Sequence, residues 1–249
     1  MRKPTIRIVS RHKRLDSVVR SIENEAGRRG IKTSSRNYDL VVSVGGDGTM
    51  IRAAVEGKPV MTVKGGSRNH LIDIPQERVG EAFDMLLSGR FREERYGMLE
   101  ARTGGRRVLA FNDVGIMTSV PLPIGMKISY LDTTLEADAD GILVSTPQGS
   151  SGWSFSSNGC LLTTKSRAFL LSLLNPVMMP LRSVVVPEVP VRIMVDTKGR
   201  DDGARLVADG EVMAELHDGD EVKVSRSSRE AVIYRFFEYG LRNAVLGRK

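Results

Sequence analysis

Residues 40–49 read LVVSVGGDGT, the most informative segment of the chain. The apolar run 40–44 predicts a buried strand, and residues 50–55 predict a helix for which Thr49 is a suitable N-cap. Glycines after a strand let main-chain N–H groups approach an anion at the N-terminus of the next helix. The order of strand, glycine loop and helix therefore predicts a phosphate-binding loop, although a lone Gly-x-Gly is more often only a tight turn.

A carboxylate inside this loop separates it from the commoner phosphate-binding motifs. No Gly-x-Gly-x-x-Gly is completed after residue 45, and no Gly-Lys-Ser/Thr follows. An aspartate at this place would repel a phosphate unless it accepts a proton from an attacking hydroxyl or holds Mg²⁺ against the phosphates. We therefore predict Asp47 as the catalytic residue.

Strands and helices alternate in the first part of the chain. Residues 5–10 and 59–63 are short apolar runs typical of strands, and residues 15–22 and 79–87 repeat apolar side chains at helical spacing. This alternation predicts a parallel, Rossmann-like sheet with helices on its faces.

Beyond residue 96 the sequence changes to short β-rich runs with turn signals between them. The chain closes on a strand and a predicted helix over residues 238–246. We predict an α/β domain at residues 1–95, completed by a C-terminal segment at about 231–249, and a β-rich domain at residues 96–230.

Length and composition restrict the function. The 249 residues are 41% apolar and 27% charged, which fits a folded globular chain. We expect a cytoplasmic protein without a membrane partner, because there is no long apolar window and no signal-peptide core at the N-terminus. Cys160 is the only cysteine and the three histidines are scattered, so we expect no permanent metal. The net charge of +7 is dispersed and only 5% of residues are aromatic, so we expect no nucleic-acid partner.

The glycine loop and four further segments resemble those of a known family. The GGDGT loop resembles the signature of a kinase superfamily that contains NAD kinases, diacylglycerol and sphingosine kinases, and phosphofructokinases. Asn112-Asp113 is similar to the Asn-Glu element of NAD kinases, and residues 140–154 (DGILVSTPQGSSGWS) are similar to their long Asp-Gly to Ser-Thr-Pro block. Asp209-Gly210 and Leu241-Arg242 resemble the late elements of the same family. The matches extend from residue 41 to the C-terminus, in family order.

The resemblance to NAD kinases implies a two-domain fold and a reaction. Members transfer the γ-phosphoryl group of ATP, or in some cases of polyphosphate, to the 2′-hydroxyl of the adenosine ribose of NAD, making NADP. By this resemblance Asp47 would be the general base. The donor phosphates, with Mg²⁺, would lie against Gly45, Gly46, Gly48 and Thr49. The NAD site would contain Asn112, Asp113, Asp140, Ser151, Gly152, Trp153 and Ser156. The family also implies a homo-oligomer, a dimer or tetramer.

Departures from the family pattern keep two alternatives open. Residues 64–72 (KGGSRNHLI) replace the family's Asn-x-Gly-x-x-Gly-Phe-Leu segment, Asp113 replaces Glu, and Gly152-Trp153 replaces Ala-Tyr. The altered segment motivates a catalytically silent NAD(P)-binding regulator. The shared loop motivates a lipid kinase, although no basic amphipathic helix with exposed aromatic residues supports it.

Overall fold

The structure is a computed structural model, and it describes residues 2–65, 71–200 and 203–238. The chain divides into two compact units. We call the described parts of Met1–Tyr96 and Glu230–Lys249 the α/β unit, and Gly97–Arg229 the β unit.

A parallel sheet forms the centre of the α/β unit. Its strands lie in the order β2, β1, β3, β4, β16, and the pairs between them are parallel. These elements are β1 (Thr5–Ser10), α1 (Asp16–Arg28), β2 (Lys32–Thr33), β3 (Leu40–Gly45), α2 (Asp47–Ala54), β4 (Val60–Lys64), α3 (Val79–Leu87), the start of β5 (Arg92–Thr103) and the end of β16 (Glu221–Arg235). Short 3₁₀ turns precede α1 and α3, at Lys13–Leu15 and Gln76–Arg78.

The middle strand of this sheet is buried throughout. All six residues of β3 are buried, as expected for a parallel strand covered on both faces. Ile22 of α1 and Phe83 of α3 pack with residues of β3 in one apolar core. The sequence-based prediction of a Rossmann-like α/β arrangement is confirmed for this unit.

Helix α2 begins earlier than its sequence predicts. Gly46 is the N-cap residue, with extended backbone angles, and its carbonyl accepts the N–H groups of Thr49 (3.0 Å) and Met50 (3.3 Å). The prediction of Thr49 as N-cap is therefore wrong, because the glycine two residues before Gly48 takes the capping conformation and places Thr49 inside the first turn.

The β unit contains two antiparallel sheets around one apolar core. One sheet has the order β12, β11, β10, β7, β14, β15, and the other contains β16, β13, β8 and β9, with β5 and β6 paired beside β16. Ile142 and Leu206 of the first sheet share the core with Ile128 and Ile193 of the second. The elements are β6 (Arg106–Ala110), β7 (Asp113–Thr118), β8 (Ile124–Tyr130), β9 (Thr133–Ala139), β10 (Gly141–Ser145), a 3₁₀ turn (Gly149–Ser151), α4 (Trp153–Asn158), β11 (Ala168–Leu174), β12 (Ser183–Pro187), β13 (Val191–Asp196), β14 (Ala204–Ala208) and β15 (Glu211–Leu216).

Two sequence predictions concern residues at the end of the chain. The predicted helix at 238–246 and the Leu241-Arg242 element lie outside the described residues, apart from Glu238. In the described ranges no helix is long and apolar enough to cross a membrane.

Candidate active site

The glycine loop lies where two parallel strands of the α/β unit end together. Gly45 pairs with Lys64, and the N–H of Gly65 donates to the Gly45 carbonyl at 2.8 Å. A Cβ on Gly65 would lie 2.7 Å from the Gly45 Cα, and a Cβ on Gly45 would lie 2.4 Å from Thr49 Oγ1. A side chain at position 65 would overlap the main chain of Gly45, whereas one at position 45 would press on the Thr49 side chain. The glycine at position 65 therefore lets the two main chains touch at the carboxyl edge of the sheet, where α/β sheets bind ligands.

Asp47 stands at the entrance to helix α2. It is the first residue of the helix, its side chain is half-buried, and its Oδ1 accepts the main-chain N–H of Leu71 at 3.1 Å. The partial positive charge of the helix N-terminus favours the binding of an anion such as a phosphate here. The predicted loop residues Gly45, Gly46, Gly48 and Thr49 are thus brought together with Asp47.

The segment that supplies Leu71 is fixed by two buried charges that the sequence analysis did not single out. Asp73 is 2% exposed and Arg235 is 2% exposed. The signal for both was present in the sequence: each is a charged residue at an inward position of an otherwise apolar run, LIDI at 71–74 and AVIYR at 231–235. Charged side chains are almost never fully buried without a partner.

A second cluster, in the β unit, is built around Asn112 and Asp113. Asn112 lies between β6 and β7, and Asp113 is the first residue of β7. The carboxylate of Asp209 accepts three consecutive N–H groups there: Phe111 (2.7 Å), Asn112 (2.7 Å) and Asp113 (3.2 Å). The N–H of Asp209 returns a bond to the Asp113 carbonyl at 3.0 Å. Asp209 therefore fixes the bend that presents Asn112 and Asp113.

The two carboxyl groups of this cluster are perturbed by their surroundings. Burial, with a smaller contribution from the charge of Asp209, raises the pKa of Asp113 from 3.8 to about 7. Burial also raises the pKa of Asp209, although its three main-chain hydrogen bonds act in the opposite direction. Asn112 Oδ1 is buried and accepts no hydrogen bond from the described residues. Shifted carboxyl groups beside a buried, unsatisfied acceptor are typical of a ligand site.

The turn after β10 packs directly on this cluster. Thr146 donates from its hydroxyl to the carbonyls of Phe111 (2.9 Å) and Asn112 (3.0 Å), and Gln148 Nε2 donates to Phe111 O at 2.7 Å. A Cβ on Gly149 would lie 2.0 Å from the Asn112 carbonyl oxygen. The Ser-Thr-Pro-Gln-Gly part of the sequence therefore positions the Asn112-Asp113 bend, a role that the sequence analysis missed.

The residues that follow this turn end the 3₁₀ turn and begin helix α4. Ser151 and Gly152 end the 3₁₀ turn, and the Gly152 position approaches the Asn112 side-chain amide. Ser154 faces the sheet, where it is buried and bonds Ser172 of β11. Trp153 and Ser156 are three residues apart, on one face of the helix; Trp153 is half-buried and Ser156 is exposed.

Asp140 is not brought into this cluster. It precedes β10, whereas the turn that packs on Asn112 follows the other end of this five-residue strand, about 17 Å away at a typical rise per residue. The Asp140 carboxylate accepts the side-chain amide of Asn175 at 2.8 Å.

The described residues contain no group of three or more His, Cys, Asp or Glu side chains arranged to hold a metal ion. Asp47 alone supplies a carboxylate in the glycine loop. This donor set suits an ion that arrives bound to phosphates, because Mg²⁺ is usually held by one or two carboxylates together with substrate oxygens and water.

The fold is that of two solved structures. A structure described as yeast NADH kinase complexed with NADH superposes with a TM-score of 0.89 at 17% identity, covering 98% of this chain and 86% of that one. An NAD kinase from Archaeoglobus fulgidus in complex with ATP gives a TM-score of 0.79 at 23% identity, covering 97% and 96%. The predicted two-domain fold of NAD kinase type is therefore confirmed.

Sequence relatives extend the similarity to the whole chain. The ATP-NAD kinase N-terminal domain matches residues 8–91, and the ATP-NAD kinase C-terminal domain matches residues 112–236. An NAD kinase of Saccharolobus islandicus is 38% identical over 97% of both chains, and one of Thermoplasma acidophilum is 31% identical over 84% of this chain and 78% of the relative. These matches do not favour the lipid-kinase interpretation. They confirm the resemblance stated from the sequence, and this chain belongs to the ATP-NAD kinase family.

Proposed function

We propose that this chain transfers the γ-phosphoryl group of ATP to the 2′-hydroxyl of the adenosine ribose of NAD, producing NADP and ADP. The observation that carries the proposal is Asp47, a carboxylate in a glycine loop at the carboxyl edge of a parallel sheet, oriented by the N–H of Leu71. Membership of the ATP-NAD kinase family supports the choice of substrates.

The loop residues supply positioning and charge. The 2′-oxygen attacks the γ-phosphorus, the new O–P bond forms as the bond to the leaving oxygen of ADP breaks, and ADP departs with that electron pair. Asp47 accepts the proton of the 2′-hydroxyl. Main-chain groups of Gly45, Gly46, Gly48 and Thr49 lie at the N-terminus of α2, where they would bind the donor phosphates.

Mg²⁺ enters this proposal as part of the donor complex. Bound to the phosphates of ATP, it would neutralise the charge that develops on the transferred group. Asp47 is the residue of the loop that could contact it.

The β unit would bind NAD. Asn112 Oδ1 is buried without a partner among the described residues. It would accept a hydrogen bond from an adenine amino group or a ribose hydroxyl, and Asp113 would accept one from a ribose hydroxyl. Trp153 would stack on a ring of the dinucleotide, which typically contributes about 1–3 kcal/mol per stacked ring in nucleic-acid complexes. The predicted NAD-binding residues are Asn112, Asp113, Ser151, Gly152, Trp153 and Ser156. Asp140, also predicted, lies at the other end of β10 from this cluster.

We propose that the α/β unit and the β unit correspond to a donor domain and an NAD-binding domain. The enzyme would act in the cytoplasm as a homo-oligomer, and light scattering after size-exclusion chromatography would distinguish a dimer from a tetramer.

The direct test is a coupled assay with the purified chain, Mg-ATP and NAD, in which an NADP-specific dehydrogenase detects the product. Polyphosphate replaces ATP in a parallel reaction to identify the donor. Asp47→Asn should abolish turnover and leave folding intact. Asp16→Asn is the matched control, because Asp16 is also the first residue of a helix, α1, and is exposed.

Each outcome of this assay decides between the functions considered. NADP formation that is lost in Asp47→Asn and retained in Asp16→Asn supports the kinase. NAD binding without NADP from either donor would favour the silent regulator, and wild-type turnover by Asp47→Asn would remove Asp47 from the mechanism.

A further inference from the structure

Arg235 carries a positive charge into the core of the α/β unit. It lies at the end of β16, where Ala231, Ile233 and Arg235 all face inward, and none of its side chain is exposed. Two carboxylates compensate the charge: Arg235 Nε lies 2.8 Å from Glu94 Oε2, and Nη1 lies 3.4 Å from Asp73 Oδ1. A buried guanidinium persists only when charge and donors are both satisfied, so this place in the core is specific for arginine.

The same guanidinium holds the main chain of Leu71. Nη1 donates to the Leu71 carbonyl at 2.6 Å, and Nη2 donates to the Tyr96 hydroxyl at 3.0 Å. Leu71 in turn donates its N–H to Asp47 Oδ1 at 3.1 Å. Leu71 therefore links two side chains. Its carbonyl accepts a hydrogen bond from the buried Arg235, and its N–H donates one to Asp47 of the glycine loop.

Asp73 anchors the segment that contains Leu71 at two places. Its Oδ2 accepts the N–H groups of Phe236 (2.8 Å) and Phe237 (3.1 Å), and its Oδ1 accepts the hydroxyl of Thr62 on β4 at 2.7 Å. The segment beginning at Leu71 is thereby attached both to the strand beside the glycine loop and to the chain that follows Arg235.

We propose that Arg235 is a positioning residue for phosphoryl transfer, which fixes the Leu71 main chain and through it the orientation of the Asp47 carboxylate. This inference rests on the proposed function, in which Asp47 accepts the proton of the attacking hydroxyl. Because its side chain is fully buried, Arg235 would act without touching the substrate. Its effect is on the geometry of the base, and misplacement of a reacting group by about 1 Å can lower a rate about a hundredfold.

The test compares Arg235→Lys with a control that lowers stability elsewhere in the same unit. Lysine keeps the charge, but its single ammonium group cannot reproduce the planar fork that meets Leu71 and Tyr96 together. Ile22→Ala is the control, because Ile22 is buried on α1 and has no hydrogen bond to the Leu71 segment. Urea unfolding ranks the stability of both variants, and steady-state assays with Mg-ATP give kcat and the KM for NAD.

We expect Arg235→Lys to lower kcat by about tenfold to a hundredfold with a KM for NAD close to that of the wild type. Ile22→Ala should keep the wild-type kcat at temperatures where it is folded. Equal kcat values for folded Arg235→Lys and the wild type would overturn the proposal. If Arg235→Lys does not fold, Tyr96→Phe replaces it: the loss of one acceptor of the guanidinium should lower kcat by about twofold or more, and an unchanged kcat would overturn the proposal.

Hydrogen exchange separates this proposal from the proposed function. The amide of Leu71 should exchange faster in Arg235→Lys than in the wild type, whereas amides of α1 should exchange at equal rates in both. Absence of NADP formation by the wild type would refute the proposed function alone. An unchanged Leu71 exchange rate in the variant would refute the positioning role, whatever the activity.

Discussion

The Asp113→Asn variant should lack a loss of stability at neutral pH that the buried Asp113 carboxyl group causes in the wild type. Asp113 is 4% exposed, and burial followed by the charge of Asp209 raises its pKa from 3.8 to about 7. The folded state therefore holds this proton more tightly than the unfolded state does. Between pH 4 and pH 7 unfolding releases the proton, so the free energy of unfolding falls as pH rises. The destabilisation is absent below about pH 4 and complete above about pH 7.

The magnitude follows from the size of the shift. One pKa unit corresponds to about 1.4 kcal/mol, so a shift of about three units costs about 4 kcal/mol at pH 8. Asparagine has nearly the same shape and does not titrate, so the variant avoids this cost. At pH 4 both side chains are largely neutral, and the two proteins should differ little.

Urea unfolding at intervals from pH 4 to pH 8 measures this difference. The free energy of unfolding of Asp113→Asn minus that of the wild type should rise by up to about 4 kcal/mol across the range. Titrating groups that do not interact with Asp113 cancel in the subtraction, whereas Asp209, whose charge acts on Asp113, contributes to the measured difference. Asp132→Asn, at an exposed carboxylate between β8 and β9, is the control and should show a nearly constant difference. A pH-independent difference for Asp113→Asn would refute the reasoning.

Two glycine substitutions test the close main-chain contacts at the two clusters. Gly149→Ala places a Cβ 2.0 Å from the Asn112 carbonyl oxygen, so it should lower stability by about 1–3 kcal/mol and weaken NAD binding in calorimetry. Gly27→Ala is its control: apart from the backbone of helix α1 itself, no atom of the described residues lies within 4 Å of the new Cβ, and stability should rise by about 0.5–1 kcal/mol. Gly65→Ala places a Cβ 2.7 Å from the Gly45 Cα, so it should displace the glycine loop and lower kcat in the NADP assay; a wild-type kcat would show that the loop tolerates the shift.

Local patterns were sufficient for the elements that carry the site. Strand β3 is buried on both faces and reads as one apolar run, and β13 alternates strictly between buried and exposed residues. Such periodicities depend on a few neighbouring residues, and the sequence contains them directly. The wrong prediction of the N-cap of α2 also has a local cause. Gly46 adopts extended backbone angles and is the N-cap residue, so Thr49 lies inside the first turn of the helix.

Contacts between distant segments could not be predicted in the same way. Asp209 bonds the main chain of Phe111 across 98 residues, and Arg235 bonds Leu71 across 164. Nothing near Leu71 in the sequence indicates that its carbonyl meets a guanidinium. The charged residues within these apolar runs are visible in the sequence, but the partner of each depends on the order of strands in the folded chain.

In both clusters an aspartate carboxylate accepts consecutive main-chain N–H groups, and this affects how losses of activity in variants should be interpreted. Asp209 accepts three consecutive main-chain N–H groups at the bend that presents Asn112 and Asp113, and Asp73 accepts two consecutive N–H groups beside Arg235. A carboxylate bonded in this way fixes a bend strongly, because charge-assisted hydrogen bonds are about twice as strong as neutral ones. Substitution of either aspartate would therefore distort a candidate site without removing a group that touches substrate. Loss of turnover in such a variant does not identify a catalytic residue; the separation of kcat from KM, together with the stability of the variant, is required to distinguish Asp47 from the residues that hold it.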